Sequence, residues 1–321
     1  MARGKAAGAA SATAALLAGA SIGALGWASL VERRMYRLRR VDVPVLPSGA
    51  EPIRVLHLSD LHMAPWQHDK QRWVRELADL RPDLIVDTGD NLGHDDGLTG
   101  LRYAFERFDG IPGVFVNGSN DYYGPQPKNP LKYFSGPSKI HSRPPTLDTE
   151  ALTGFLEGLG WLDLNNRAGS FDIRGTHLEF FGVNDPHRHW DKLELLTAAI
   201  DELRENDSYS DDANRRATKQ TLTIGVAHAP YQRVLNSFLT HGAQMIFAGH
   251  THGGQVCIPG FGALVTNCDI PRSQVKGLSL WRHALRSAYL NVSAGLGTSI
   301  YAPVRFACPP EASLLTLVPA P

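Results

Sequence analysis

The most informative stretch of this 321-residue chain is Phe247-Ala248-Gly249-His250-Thr251-His252-Gly253-Gly254-Gln255. It overlaps the apolar run 244–248, which predicts a buried strand that ends at a turn. The glycines around the two histidines permit positive φ angles and a close approach of the backbone. Two neutral imidazoles directed into one pocket suit a metal ion. We therefore expect a metal site at the end of this strand.

Four more strand-like apolar runs end in loops that carry potential ligands. These loops are Asp60-Leu61-His62, Gly89-Asp90-Asn91, Gly118-Ser119-Asn120-Asp121 and Ala227-His228-Ala229-Pro230. In open α/β sheets, ligands bind beyond the carboxyl ends of the strands. An amphipathic helix predicted from Lys70 to Leu80 separates the first two runs, and such strand–helix–strand alternation indicates α/β architecture. The five strand ends therefore predict one shared site.

The order D-x-H, G-D, a G-N-H-D-like segment, an isolated histidine and G-H-x-H resembles the calcineurin-like metallophosphoesterase family. The resemblance extends from about Arg54 to Leu317. The segments Gly295-Leu296-Gly297-Thr298-Ser299 and Pro310-Glu311 point to its bacterial, membrane-associated, YkuE-like branch. The resemblance implies an α/β fold in which two mixed β-sheets pack as a sandwich flanked by helices. It also implies a metal-dependent hydrolase of phosphoric esters or pyrophosphates.

The roles of the family's ligands carry over residue by residue. By resemblance, Asp60, His62 and His252 would hold one divalent metal, His228 and His250 would hold a second, and Asp90 would bridge the two. This mixed oxygen and nitrogen set suits Mn, Fe or Zn. Two metals about 3.5–4 Å apart lower the pKa of a bridging water and clamp the phosphate oxygens. A metal-activated hydroxide would then replace a protein nucleophile.

The sequence departs from the family at residues 118–121, where the family has Gly-Asn-His-Asp. Ser119 stands in the place of the asparagine ligand, and Asn120 stands in the place of a histidine that would assist the leaving group. Asn120 could supply an amide oxygen through a shifted loop, or Ser119 or water could fill the ligand place. We predict Asn120 as a metal ligand, and Asp90, Asn120 and Asp121 as catalytic residues.

Three further residues are predicted to contact the substrate. His94 follows the Asp90 motif, and His187 follows a strand-like run that ends at residue 183. Either histidine could replace the missing acid. Tyr122 begins a proline-rich segment that continues to Leu147. Loops of this length often cover or bind a ligand, and the alternative is a plain surface insertion.

Residues 6–31 contain no charge, and a bilayer is spanned by about 20 apolar residues. We predict a retained transmembrane anchor, with a cleaved signal peptide or a soluble helix as alternatives. The following arginines place the catalytic domain on the cytoplasmic face of the cell membrane, in a single-pass protein. The predicted division is an anchor with a basic juxtamembrane segment (1–40), a linker (41–52) and a metallophosphoesterase domain (53–321).

Composition narrows the class of protein. The chain has 32 basic and 32 acidic residues and a net charge of 0, so no global field attracts nucleic acid, and no nucleic-acid partner is expected. Three cysteines are present, and their odd number and spacing do not indicate a disulfide framework. These features favour an ordinary globular protein over a nucleic-acid-binding or disulfide-stabilised one.

The leading hypothesis is a membrane-anchored, dinuclear-metal phosphoesterase that cleaves a phosphodiester or a pyrophosphate. Its expected partners are membrane lipid and either a phosphorylated small molecule or a lipid-linked nucleotide similar to UDP-2,3-diacylglucosamine. One alternative is a phosphodiesterase of soluble or cyclic nucleotides. Another is a metal-bound scaffold whose catalysis is weakened by the loss of the family histidine at Asn120.

Overall fold

The computed structural model describes residues 16, 18–125, 146–208 and 221–321. The strands are β1 (Arg37–Leu46), β2 (Ile53–Leu58), β3 (Leu84–Asp87), β4 (Gly113–Phe115), β5 (Trp161–Asp163), β6 (Ala168–Ile173), β7 (Thr176–Val183), β8 (Thr221–Ala227), β9 (Met245–Ala248), β10 (Cys257–Ile258), β11 (Gly262–Ala263), β12 (Gly277–His283), β13 (Arg286–Val292) and β14 (Glu311–Pro319). The helices are α1 (His68–Glu76), α2 (Gly97–Phe105), α3 (Thr149–Gly158), α4 (Leu196–Ser208) and α5 (Gln232–Thr240).

The strands form two large mixed sheets. The first has the order β1-β14-β2-β3-β4-β5, in which β2 to β5 are parallel and β14 is antiparallel to β2. The second has the order β12-β13-β9-β8-β7-β6, with parallel central strands and antiparallel edges. Strands β10 and β11 pair as a small antiparallel ribbon. The predicted α/β fold with two mixed sheets is confirmed.

Apolar side chains hold the two sheets face to face. Val55 and Val86 of the first sheet and Ile224, Val226 and Phe247 of the second are fully buried in one core. They alternate with side chains on the opposite face of each strand, as the period of two requires. Helices α1, α2 and α3 cover the outside of the first sheet, and α4 and α5 cover the second. The result is the predicted sandwich flanked by helices.

The beginning of the folded unit differs from the sequence-based division. The residues assigned to the juxtamembrane segment and to the linker 41–52 include β1, which pairs in parallel with β14. Val43 and Leu46 of this strand are fully buried. Pro44 is tolerated because β1 is an edge strand. The arginines and Pro44 obscure the period-two pattern of this strand in the sequence.

The N-terminal segment is described only in part. Residues 6–15 and 17 of the predicted span lie outside the described residues. Residues 18–26 form an α-helix, which continues as a π-helical turn (Trp27–Val31) and a 3-10 turn (Glu32–Arg34). Within the described part of the chain, no helix is both long and apolar enough to cross a bilayer. The end of this helix is attached to the domain, because the backbone N–H groups of Arg305 and Cys308 donate to Ala28 O (3.1 Å) and Glu32 Oε1 (2.6 Å). Most of the proline-rich segment after Tyr122, residues 126–145, also lies outside the described residues.

Candidate metal centre

The carboxyl ends of parallel strands from both sheets meet at one edge of the sandwich. The six predicted Asp and His ligands lie there: Asp60 and His62 after β2, Asp90 after β3, His228 after β8, and His250 and His252 after β9. Five of them are buried, and the side chain of His252 is 13% exposed. The tertiary structure therefore brings together all six residues, which are separated by up to 192 positions along the chain.

The first candidate group consists of Asp60, His62 and His252. His252 Nε2 lies 3.2 Å from His62 Nε2 and 3.4 Å from Asp60 Oδ1. Asp60 Oδ1 is buried and accepts no hydrogen bond. A buried carboxylate oxygen without a donor is costly, and here it lies beside two imidazole nitrogens. This donor set fits a divalent cation.

The second candidate group consists of Asp90, His228 and His250. His228 Nε2 lies 3.2 Å from His250 Nδ1 and 3.6 Å from Asp90 Oδ2. The same oxygen of Asp90 lies 3.6 Å from His62 Nε2 in the first group. Asp90 therefore stands between the two groups, where a bridging carboxylate belongs.

Outer hydrogen bonds orient three of the imidazoles. In each ring one nitrogen contacts a backbone carbonyl. At His228 this contact makes Nδ1 the N–H donor and leaves the lone pair of Nε2 for the site. His250 Nε2 also lies 3.1 Å from Asn267 Nδ2, and His252 Nδ1 also lies 3.3 Å from Arg305 Nη2, so the carbonyl alone does not fix the tautomer of these two rings. The contacts are His228 Nδ1 to Thr88 O (2.7 Å), His250 Nε2 to Asn267 O (3.2 Å) and His252 Nδ1 to Gly297 O (3.2 Å). The outer contact of His228 is thus of the kind that metal-bound histidines usually make.

Burial controls the protonation of these rings. It lowers the pKa of His62 to about 3 and the pKa of His250 well below its ordinary value. The pKa of His252 is also lowered, again mainly by burial. At His228 burial acts in the same direction, but Asp90 and other nearby aspartates raise its pKa to about 9. Three rings are therefore neutral at pH 7, and at His228 a cation would take the place of a proton.

The backbone at the site is strained. Five of the six candidate ligands have positive φ angles: Asp60 (48°), His62 (41°), Asp90 (55°), His250 (67°) and His252 (50°). Each such conformation costs about 1–3 kcal/mol in a residue other than glycine. Local propensity does not favour these angles, so the surrounding packing must hold them. Strain concentrated in this way is typical of functional sites.

Asp121, predicted to be catalytic, holds two loops together. Its carboxylate accepts hydrogen bonds from the backbone N–H groups of Asp90 (2.7 Å), Asn91 (2.7 Å) and Gly118 (2.9 Å). Its side chain is fully buried. The geometry gives Asp121 a positioning role for the Asp90 loop, and direct participation in the reaction stays a prediction.

Asn120, rather than Ser119, is the residue whose side chain reaches the bridging carboxylate. Asn120 Nδ2 donates to Asp90 Oδ2 (2.6 Å), and its backbone N–H donates to Asp90 Oδ1 (2.9 Å). The amide thus faces Asp90 with its nitrogen, whereas a metal ligand would present its oxygen. The structure places Asn120 at the centre, and its role as a ligand stays a prediction.

The predicted substrate residues occupy different surroundings. The ring of His187 packs 4.4 Å from the ring of His250, between centroids. Tyr122 Oη accepts a hydrogen bond from Asn184 Nδ2 (2.8 Å), on the same loop as His187. His94 packs against the exposed ring of Trp66, with 4.9 Å between centroids. His187 is thus in direct contact with a candidate ligand, and roles in substrate binding stay predictions for all three.

Arg305 was missed by the sequence analysis. Its side chain is fully buried. Its Nη2 donates to the carbonyl oxygens of Ala294 (2.8 Å), Gly295 (3.0 Å) and Gly297 (2.8 Å) and lies 3.3 Å from His252 Nδ1. Arg305 therefore supports the loop behind His252. A single arginine in an irregular segment carries no motif, so no sequence signal could have revealed it.

A two-sheet sandwich with a buried Asp/His cluster at its strand ends defines a dinuclear metallohydrolase. Residues 53–254 match the calcineurin-like phosphoesterase family, and the chain belongs to this family. It is therefore a metal-dependent phosphoester hydrolase, and its family uses two divalent metals.

Three relatives extend over most of the chain. The sequence is 25% identical to YpbG, an uncharacterized protein of Bacillus subtilis, over 84% of this chain and 82% of YpbG. It is 23% identical to the uncharacterized metallophosphoesterase YkuE of the same organism, over 94% and 93% of the two chains. A transmembrane protein with a metallophosphoesterase domain from Danio rerio is 26% identical, over 67% of this chain and 44% of that protein.

Gly249 offers a test of the geometry. A Cβ atom at this position would overlap with Ser59 Oγ and lie 2.7 Å from Asp60 Oδ2. Gly249→Ala is therefore expected to displace Asp60 and to weaken metal binding by about 10-fold or more, as measured by equilibrium dialysis. Gly154→Ala is the matched control, because its added Cβ meets no atom within 4 Å. Equal metal affinity in the two variants would contradict this geometry.

Proposed function

We propose that this enzyme hydrolyses a phosphodiester or a pyrophosphate at the cluster described above. The proposed metal ligands are Asp60, His62, Asp90, His228, His250 and His252, with Asn120 as a further candidate. The position of Asp90 Oδ2, 3.6 Å from both His62 Nε2 and His228 Nε2, carries the proposal. A carboxylate at that place would contact both ions and neutralise part of their charge.

When bound, two divalent ions supply an activated water and stabilise the charge of the phosphate during in-line displacement. The chain provides neutral imidazoles and a fixed bridging carboxylate, which Asn120 holds through two N–H donors. Neither Asn120 nor Ser119 can transfer a proton near neutral pH. Substrates with good leaving groups, such as the phosphate half of a pyrophosphate, therefore suit this site best.

The proposed setting is the cell membrane, in a single-pass protein whose catalytic domain faces the cytoplasm. The uncharged run 6–31 and the arginines after it support this orientation. The described part of the helix leaves Leu25, Trp27 and Leu30 59%, 47% and 63% exposed, which suits an apolar environment. The proposed substrate is a lipid-linked nucleotide similar to UDP-2,3-diacylglucosamine, since it combines a pyrophosphate with a membrane-borne anchor.

The test uses the full chain in detergent micelles, purified without chelator. Bound metal would be measured by elemental analysis, and hydrolysis would be followed on bis-p-nitrophenyl phosphate, a lipid-linked nucleotide and soluble or cyclic nucleotides. Metal-dependent cleavage of the lipid-linked substrate alone supports the full proposal. Cleavage of soluble nucleotides alone would show that the substrate is a soluble nucleotide and not a lipid-linked one. Full metal loading without any turnover would favour the scaffold, and trace metal under all loading conditions would overturn the metal centre.

Asn120 offers a test of the missing histidine. Asn120→His restores the residue of the family pattern beside Asp90. General acid catalysis contributes about 10²–10⁴-fold, so we expect kcat/KM to rise by about 10²-fold on alkyl phosphodiesters relative to p-nitrophenyl esters. The reason is that a poor leaving group depends more on protonation. Asn120→Gln is the control, and an equal gain in both variants would contradict the explanation.

A further inference from the structure

The second metal group has fewer oxygen ligands than the family pattern provides. His228 and His250 contribute nitrogen, and Asp90 is shared with the first group. The family's asparagine would add an amide oxygen, but this chain has Ser119 at that position. Asn120 faces Asp90 with its amide nitrogen. A hard divalent ion would therefore gain from another oxygen at this group.

Asp185 follows the strand next to the one that carries His228. Strands β7 and β8 are parallel neighbours, and Val183 is opposite Ala227 at their carboxyl ends. Asp185 and His228 therefore follow adjacent strands, which are about 4.8 Å apart. The backbone N–H of His187 donates to Asp185 Oδ1 (2.8 Å), and the ring of His187 packs on His250. The turn that carries Asp185 is thus next to both histidines.

Asp185 also carries an unpaired oxygen. Its side chain is fully buried, and its Oδ2 accepts no hydrogen bond. Among the described residues, the only other buried aspartate oxygen in this state is Asp60 Oδ1, which belongs to the first metal group. Burial of a charged oxygen without a partner is strongly unfavourable, and a bound metal ion relieves it. Asp60 and Asp185 thus each have one buried carboxylate oxygen without a hydrogen-bond donor.

Electrostatics agrees with this placement. Burial raises the pKa of Asp185 to about 6, and the charge of His228 acts against this increase. Asp185 in turn is one of the carboxylates that raise the pKa of His228. The charges of Asp185 and His228 therefore act on each other, which agrees with their positions after adjacent strands.

We propose that Asp185 belongs to the second metal site, where its Oδ2 supplies the oxygen that Ser119 does not. This inference rests on the proposed dinuclear centre and adds a ligand to it. It also explains why a buried aspartate lies in the loop after β7. The His187 N–H donates to Asp185 Oδ1, and Oδ2 has no hydrogen-bond donor.

The experiment measures Mn²⁺ binding to the full chain in detergent. The protein would be stripped with chelator and titrated in equilibrium dialysis, with elemental analysis of bound metal. The variants are Asp185→Asn, Ser119→Asn and the double variant. Asp191→Asn is the control, because Asp191 is on the same connecting segment and pairs with Arg233 instead of the site.

Asp185→Asn is expected to keep one ion and to bind the other about 10-fold or more weakly. The double variant should recover most of this loss, since Ser119→Asn restores the family's amide oxygen. Asp191→Asn should bind both ions like the wild type. Unchanged binding of both ions by Asp185→Asn would overturn the inference and leave the proposed function intact. Failure of the wild type to bind two ions would instead overturn the proposed function.

Thermal unfolding in chelator separates loss of metal from loss of fold. Asparagine has the shape of aspartate and removes the unpaired charge, so Asp185→Asn is expected to melt no lower than the wild type without metal. If Asp185→Asn does not fold, Asp185→Glu takes its place, because it keeps the charge and moves the oxygen. A selective change in the affinity of one ion supports the inference, and unchanged affinity for both overturns it.

Discussion

Replacement of Asp90 by alanine is expected to abolish both metal binding and turnover. Asp90 Oδ2 lies 3.6 Å from one imidazole of each candidate group, so its loss removes an oxygen from both ions at once. Metal ions supply several kcal/mol of transition-state stabilisation, and each 1.36 kcal/mol is a factor of ten in rate. We therefore expect kcat/KM on bis-p-nitrophenyl phosphate to fall by about 10³-fold or more.

The control for this experiment is Asp79→Ala. Asp79 is an exposed aspartate that pairs with Arg107 on the surface. This variant should retain metal and activity. Asp90→Asn refines the result, because it keeps the shape and removes the charge, and we expect it to hold less metal than the wild type. Wild-type metal content and activity in Asp90→Ala would exclude the bridging position and with it the proposed centre.

Replacement of Arg305 by methionine is expected to give the largest loss of stability. The fully buried guanidinium donates to three carbonyl groups of the loop behind His252. Unsatisfied buried groups cost about 1–3 kcal/mol each. We expect the free energy of unfolding to fall by about 3–5 kcal/mol. In a chain of this size that corresponds to a fall of about 10 °C in melting temperature, measured by calorimetry.

Arg305→Lys should recover only part of this loss, because an ammonium group lacks the planar fork of five donors. Arg272→Met is the matched control, since Arg272 is exposed and stacks on Phe261. Metal binding should also weaken in Arg305→Met through the altered support of His252. Equal melting temperatures for the Arg305 and Arg272 methionine variants would contradict the supporting role.

The ligands of the centre could be predicted from the sequence because most of them stand in short local motifs. Asp60, His62 and the pair His250 and His252 stand in short motifs after apolar runs, and the strand-end rule needs only that order. The α/β class follows from the same runs, whereas the two mixed sheets were implied by the family resemblance. The segment 37–46 was missed because its pairing partner, β14, is more than 260 residues away. A strand whose local pattern is broken by arginine and proline depends on such distant pairing.

The sequence by itself determined which chemical groups are available: two aspartates and four histidines on strand ends, and a serine and an asparagine in the place of the family's Asn-His pair. Only the tertiary structure decided the distances between them. It placed Asp90 between the two groups, turned Asn120 toward Asp90 and buried Arg305 behind His252. It also left Asp185, which follows the strand next to that of His228, with an unpaired oxygen. The physical reason is that ligand identity is local, whereas contact, burial and hydrogen bonding depend on which distant segments pack together.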